Sequence, residues 1–406
     1  MNHKKYFWVY DLLFLLVLVL AGYLRLTGAN WGEGQHQHPD ENFLSNVLGN
    51  LRAHTCADGV TPIDACPTDQ QRWMNVGDYF DSETSTLNPY NRGQSFFVYG
   101  NLPMTIVRVA SEMMDGADVK LLGRQFSALA DLFAIFFLYL IVSRLYDRRV
   151  ALLASLFSAL TVMQIQQSHF FTTDLFINTF AFLATYFAVE IMLWKDKKPD
   201  AGNSPILQFS TLQSLLSNPL FLLSLGFGIA YGMALASKLN IYPLAILLPG
   251  AFAIRYLTID RGQQTESSLP VGEGQGEGVH RPLPTDYWKL IAIFLIAGGI
   301  ASFLSFRVFQ PYAFDGVLPS QHWIENIKEQ RVQATGEADL PWNLQWARRS
   351  HLYSFENLTT WGLGLPLGIL AWIGFLYMGW RILKGEWRHA LLWGWTAAYF
   401  LWQSFQ

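Results

Sequence analysis

Long apolar runs recur along this chain, several of them uncharged for about 18 residues, enough for a helix to cross the hydrocarbon core of a bilayer. Nine segments read as candidate spans: 8–24, 125–143, 150–166, 175–194, 219–236, 239–254, 290–306, 361–380 and 390–402. A further run, 96–114, contains Gly100, Asn101, Pro103 and Arg108, and its apolar residues fall mostly on one face. The expected fold is an all-α polytopic membrane bundle whose helices satisfy their own backbone groups and pack in lipid.

Charge decides how run 96–114 is placed. Lys4 and Lys5 put the N-terminus on the cytoplasmic side by the positive-inside rule. If 96–114 lies in the interface, the inside segments are 144–149, 195–198, 255–289 and 381–388, and the three short ones carry three Lys or Arg each. The short outer turns 167–174 and 237–239 hold one lysine between them. Counting 96–114 as a span would invert this, so it is read as a juxtamembrane amphipathic helix. The chain then divides into a first span (1–26), an extracytoplasmic loop with juxtamembrane helices (27–123) and a transmembrane bundle (124–255). After these come a Gly-, Gln-, Glu- and Pro-rich cytoplasmic linker expected to be disordered (256–287), a span (288–309), a second extracytoplasmic loop (310–360) and C-terminal spans (361–406). No small-residue cleavage site follows the first run, so it is expected to be retained.

Composition agrees. Hydrophobic residues make up 51% and charged residues 15%, against about a quarter charged in a soluble domain. Trp and Tyr gather near the ends of the runs, as interfacial anchors do. The net charge of −3 gives no reason to expect nucleic acid. Cys56 and Cys66 both lie in the first loop. In an oxidising compartment they are candidates for a disulfide, the alternative being two free thiols, and their spacing does not suit zinc.

The candidate chemistry sits at the ends of spans. Asp40 and Glu41 follow Pro39 just beyond the first run. Adjacent acids suit a site in which one faces a reacting group while the other orients or ligates; they also suit the N-terminus of a helix over 42–51. His36 and His38 nearby are a weak metal signal beside their reading as ordinary loop residues. Asp174 stands at the outer junction before a span, as a functional acid or as that helix's cap, with His169 flanking it. Lys238, in a tight outer turn, is either a phosphate ligand or a snorkelling lysine. Arg124, at the start of a span, and Lys328 and Arg331, on a short helix expected near 323–331, are candidate phosphate donors or plain surface charges. Trp342 and Trp346 lie in the same loop. Asp131, inside a span, is expected to pair with a polar partner.

These residues in this order resemble the lipid-linked-sugar glycosyltransferases of the C-type membrane fold, in particular the bacterial protein O-mannosyltransferase and lipid A aminoarabinose transferase branch, glycosyltransferase family 39. The resemblance rests on Pro39-Asp40-Glu41 after the first span, Tyr99-Gly-Asn-Leu-Pro103, Gly123-Arg124, the turn Ser168-His-Phe-Phe-Thr-Thr-Asp174, Ser237-Lys238, and Trp323-Ile-Glu-Asn-Ile-Lys328. It implies a polyprenyl-phosphate-linked sugar as donor and a protein, lipid or polysaccharide acceptor, with inverting transfer outside the cell membrane. It further implies that Asp40 is the general base, or holds a metal in that role, assisted by Glu41 and Asp174, and that Arg124, Lys238 and Lys328 or Arg331 stabilise the phosphate leaving group. Members of the fold class differ in metal use; Asp40 and Asp174 are the candidate ligands for magnesium or manganese, and His38 is set aside. Asn101 departs from the aminoarabinose branch, which has a basic residue there. The resemblance also predicts further spans beyond Gln406. The competing readings are a transporter or an inactive scaffold of the same fold; the lack of an internal repeat and the placement of the acids in loops, away from the bilayer midplane, argue against transport.

Overall fold

The computed structural model describes residues 7–32, 35, 38–195, 212–267, 285–338 and 349–405. The chain is a helical bundle with two loop regions at one end. α1 (Phe7–Leu26) leads to α2 (Pro39–Asn50), then a β-ribbon of β1 (His54–Cys56) and antiparallel β2 (Gln71–Trp73), and α3 (Val76–Phe80). α4 (Asn101–Met113) precedes α5 (Val119–Leu145), α6 (Arg148–Ala159), α7 (Val162–Ser168) and α8 (Asp174–Leu193). α9 (Leu212–Leu216), α10 (Pro219–Leu235), α11 (Leu247–Ser267) and α12 (Thr285–Phe309) follow. A second ribbon, β3 (Phe314–Asp315) and β4 (Leu318–Pro319), leads to α13 (Gln321–Ala334), α14 (Tyr353–Asn357), α15 (Leu365–Leu383) and α16 (Ala390–Ser404).

The expected spans are helical, with six among the described residues long and apolar enough to cross a membrane, or seven if α6 and α7 count as one. Only 6% of the apolar window of α15 is buried within the chain, which suits a helix solvated by lipid rather than water. Three expectations need correcting. The run 150–166 is not one straight helix: α6 and α7 meet at a 58° bend. Arg25 on α1 reaches the bend, donating to Ala159 O at 2.9 Å and to Ser158 O at 3.2 Å, which Thr161 N also reaches, while pairing with Asp131 on α5. Asp131 thus has the partner expected of it. The run 239–254 begins as a 3₁₀ turn, Leu239–Ile246, with Pro243 inside it; proline has no N–H for the helical ladder. α11 then continues to Ser267, into the stretch expected to be a disordered linker; residues 268–284 lie outside the described residues, as do His36, Trp342 and Trp346.

Run 96–114 forms α4, which is not among the membrane-length helices. Its buried Met104 and Val107 join Leu44, Val47 and Leu48 of α2, Leu51 just beyond it, Leu122 of α5, Phe171, and Leu175 and Phe176 of α8 in one apolar cluster. This cluster fastens the first loop to the bundle. Cys56 and Cys66 form a disulfide and pack with Ile63 in a small separate core.

Candidate active site

α2 carries the first acid and is held at both ends. Pro39 opens it, at a position where the missing N–H costs nothing, and Asp40 and Glu41 sit in its first turn. At its other end the last carbonyls have no partner within the helix. Arginines supply them: Arg108 donates to Leu48 O, Arg52 to Gly49 O and Leu51 O, and Arg92 to Asn50 O. Cations at a helix C-terminus also oppose its negative pole. Glu112 and Asp64 balance two of these charges, pairing with Arg108 and Arg92.

The two adjacent acids go separate ways. Glu41 is fully buried and takes Arg124 in a two-pronged pair at 2.6 and 2.8 Å, and its Oε1 also accepts from Phe171 N at 3.0 Å. Arg124 spends its remaining donors on Ala29 O and Trp31 O and is 1% exposed. Glu41, expected to assist chemistry, and Arg124, expected to bind a leaving phosphate, thus occupy each other in this structure. Separating such a buried pair typically costs about 3–5 kcal/mol, so a ligand would have to displace it at that cost. Asp40, one residue earlier, is half-buried and free of Arg124.

Asp174 opens α8. The turn before it is fixed by His169, whose ring sits between Ile165 O and Thr27 O, and by Trp31, whose indole donates to His169 O. Gly123 is needed here: a Cβ on it would come within 2.5 Å of the Phe171 ring. Lys238 reaches in from the turn between α10 and the 3₁₀ segment and binds Asp174 Oδ1 at 2.8 Å. These side chains are 28% and 41% exposed. An ion pair so open to solvent is worth about 0–1 kcal/mol. Lys238 can thus exchange Asp174 for another anion at little cost, which Arg124 cannot do.

Tyr99 closes the group. Its phenol lies within the field of both Asp40 and Asp174. Burial, reinforced by these two acids, pushes the phenol well above its ordinary value, so it is an O–H donor. Gly100 N donates to Ser237 O and Leu102 N to Ala236 O, so the backbone beside Tyr99 is laced to the turn bearing Lys238. A Cβ on Gly100 would fall 1.9 Å from Ala236 O, leaving glycine as the residue that fits. Tyr399 on α16 also lies close to both Lys238 and Asp174. Tyr99 stood inside a motif noted in the sequence, but nothing local marked its phenol as lying in the field of Asp40 and Asp174.

Lys328 and Arg331 are exposed on α13, and neither forms an ion pair with a described residue. The buried residue of that helix is Asn326, which accepts from Phe97 N at 2.7 Å and so anchors α13 to the segment leading into Tyr99. His38 packs on Phe170, and its Nδ1 has no partner. Among the described residues no three His, Cys, Asp or Glu side chains gather as a metal site. Asp40 and Asp174 alone suit magnesium in one way, as one or two carboxylates completed by substrate phosphate and water.

Residues 115–200 match the profile of a family described as dolichyl-phosphate-mannose-protein mannosyltransferase. The match covers α5 to α8, the part bearing Arg124, the bent third run and Asp174, and it bears out the resemblance to membrane glycosyltransferases of the C-type fold. No curated protein matches the chain. Two crystal structures of the oligosaccharyltransferase from Archaeoglobus fulgidus align with it, one the apo form (15% identity, 98% of this chain and 48% of that one) and one the complex with Zn and sulfate (13%, 96% and 45%). Both give a TM-score of 0.47, too low to carry an argument. The chain spans about half the length of these structures.

Proposed function

We propose that this chain carries the catalytic end of a membrane glycosyltransferase that moves a sugar from a polyprenyl-phosphate-linked donor to an acceptor hydroxyl at the extracytoplasmic face. The observation that carries this reading is an exchangeable cation paired with an acid at one end of an apolar bundle: Lys238 is held on Asp174 by a solvent-open contact, and the half-buried Asp40 is left clear of the buried Glu41–Arg124 pair beside it. In the reaction Asp40 takes the proton from the acceptor hydroxyl as its oxygen bonds to the anomeric carbon. The bond from that carbon to the phosphate oxygen breaks, and the electron pair leaves with the polyprenyl phosphate. Lys238 turns from Asp174 to the phosphate and stabilises the charge that develops there. A single displacement inverts the anomeric centre. A divalent cation, if used, would be held by Asp40 and Asp174 and would neutralise the same phosphate charge. The acceptor is a hydroxyl on a protein, lipid or polysaccharide.

The test is label transfer from radiolabelled polyprenyl-phosphate hexoses and pentoses in membranes holding the full-length protein. Asp40→Asn is expected to lower the rate by about 10²–10⁴-fold, the usual contribution of a general base. Lys238→Ala is expected to cost about 10²–10³-fold, as loss of a charge-stabilising donor does. Transfer undiminished in Asp40→Asn would remove the assignment.

A further inference from the structure

We propose that the β3–β4 hairpin is a membrane anchor. Its tip, Val317 and Leu318, inserts among the acyl chains of the leaflet at the Asp174–Lys238 end of the bundle and so holds α13 at the bilayer surface. Val317 is 83% exposed and Leu318 70%. The turn itself requires neither side chain. Asp315 pairs with Leu318, leaving Gly316 and Val317 as the loop. Such a loop needs a left-handed first position, which Gly316 supplies with a φ of 65°; the second position is free to be polar. Single apolar residues at a surface are ordinary, but an apolar patch marks a face that meets a membrane or a partner.

The helix beneath the hairpin says which. On one side of α12, Ser305 donates to Ile229 O of α10 at 2.8 Å. On the opposite side Ile296, Ile300, Phe303 and Leu304 are exposed, the stripe of a span solvated by lipid. The hairpin is seated on that stripe: the Phe314 ring meets Phe303 and Phe306, with centroids 5.8 and 5.7 Å apart. Phe303 precedes Arg307 by one turn, about 6 Å nearer the bilayer centre along α12. Arg307 lies over the rings of Phe314 and Phe80, at 5.1 and 5.4 Å, and donates to Gly316 O at 3.1 Å and Pro311 O at 3.4 Å. Its described partners are thus rings and carbonyls, with no carboxylate. That is the setting of an arginine whose stem lies on apolar surface while its head reaches the headgroups. The base of the hairpin therefore stands at the edge of the hydrocarbon. Asp315, opposite Leu318 in the register, is exposed and limits insertion to the tip. Ser320, directly after β4, precedes the first turn of α13 and donates its N–H to Ala313 O at 2.9 Å, so α13 starts from the anchored hairpin.

The test is nitroxide labelling of the full-length protein in nanodiscs of phosphatidylcholine and phosphatidylglycerol, with Cys56 and Cys66 left oxidised. Labels at Val317→Cys and Leu318→Cys are expected to collide with oxygen and to be shielded several-fold from a water-soluble nickel chelate, like a label at Ile300→Cys on the lipid face. A label at Val60→Cys, 87% exposed in the first loop, is expected to meet the chelate freely. Nickel accessibility at 317 and 318 equal to that at 60 overturns the proposal. Labels shielded from both oxygen and nickel overturn it too, because a second copy or another protein then covers the tip. A second readout follows α13. Val317→Ser combined with Leu318→Ser keeps Gly316 and the Phe314 packing, and is expected to raise the mobility of a label at Glu325→Cys. An unchanged spectrum at 325 overturns the holding role. Neither readout involves sugar transfer, so the anchor stands or falls apart from the glycosyltransferase reading.

Discussion

Glu112 accepts from the Ala53 amide at 2.9 and 3.0 Å, pairs with Arg108 and meets the His54 ring. Burial alone would raise its carboxyl; the Ala53, His54 and Arg108 contacts outweigh that and hold it below its ordinary value. A carboxylate depressed in the folded state contributes stability that is present above its unfolded value and is lost as pH falls through its folded one. Below an ordinary glutamate value of 4.5, protonation of Glu112 should begin to free the Ala53 amide and slacken the arginine cap on α2. The expected outcome is a falling hydrogen-exchange protection factor at Ala53 between about pH 5 and pH 3, and a factor already low and flat with pH in Glu112→Gln. At this scale the sequence marked Asp40, Asp174 and Lys238 as candidates, because each charge lies near an apolar run where solvation needs none, and the structure pairs the last two. The fates of Glu41 and Arg124 were not legible. A carboxylate beside another reads the same whether it faces a substrate or a guanidinium brought to it by folding.

Helices were foreseeable where the apolar period is long, and less so where a partner from elsewhere replaces the ladder. The bend between α6 and α7 is the clear instance. No proline or glycine lies in its run, so no local breaker announces it; Arg25, from α1, takes the carbonyls of Ser158 and Ala159. Arg25 and Asp131 are both fully buried. Removing one partner of such a pair leaves an uncompensated charge, typically at about 3–5 kcal/mol. Asp131→Leu should therefore lower thermal stability in detergent sharply, and Arg25→Leu with Asp131→Leu should recover part of the loss. Full recovery would mean that the carbonyl bonds at the bend contribute nothing. Pro243 gives the opposite case: the 3₁₀ opening of the run 239–254 has a cause written in the chain, even though the run alone reads as a plain span.

Across the whole molecule, both loop regions and the Asp40–Asp174–Lys238 group lie at one end of the bundle, and the ion pairs of Arg144 with Glu190 and of Arg381 with Glu386 join segments expected on the other side. The charge pattern assigns the site end to the outside. Cysteines introduced as Asp69→Cys and Glu325→Cys, with Cys56 and Cys66 left oxidised, should label with an impermeant maleimide in intact cells, and Lys384→Cys only after permeabilisation. The reverse pattern would put Asp40 in the cytoplasm, away from the donor side the proposed reaction needs.

The sequence by itself determined the class of molecule: apolar length sets which segments can live in lipid, and it follows from solvation alone, one residue at a time, as does the orientation expected from the distribution of Lys and Arg. Tertiary structure decided which of two neighbouring acids is free. Glu41 is neutralised by Arg124, which arrives on another helix, and Asp40 is left clear of that pair, while a glycine-only backbone contact at Gly100 lays the segment of Tyr99 against the lysine turn. Charge pairing in a buried site depends on distances of a few ångströms between segments far apart in the chain, and these are fixed only when the helices pack.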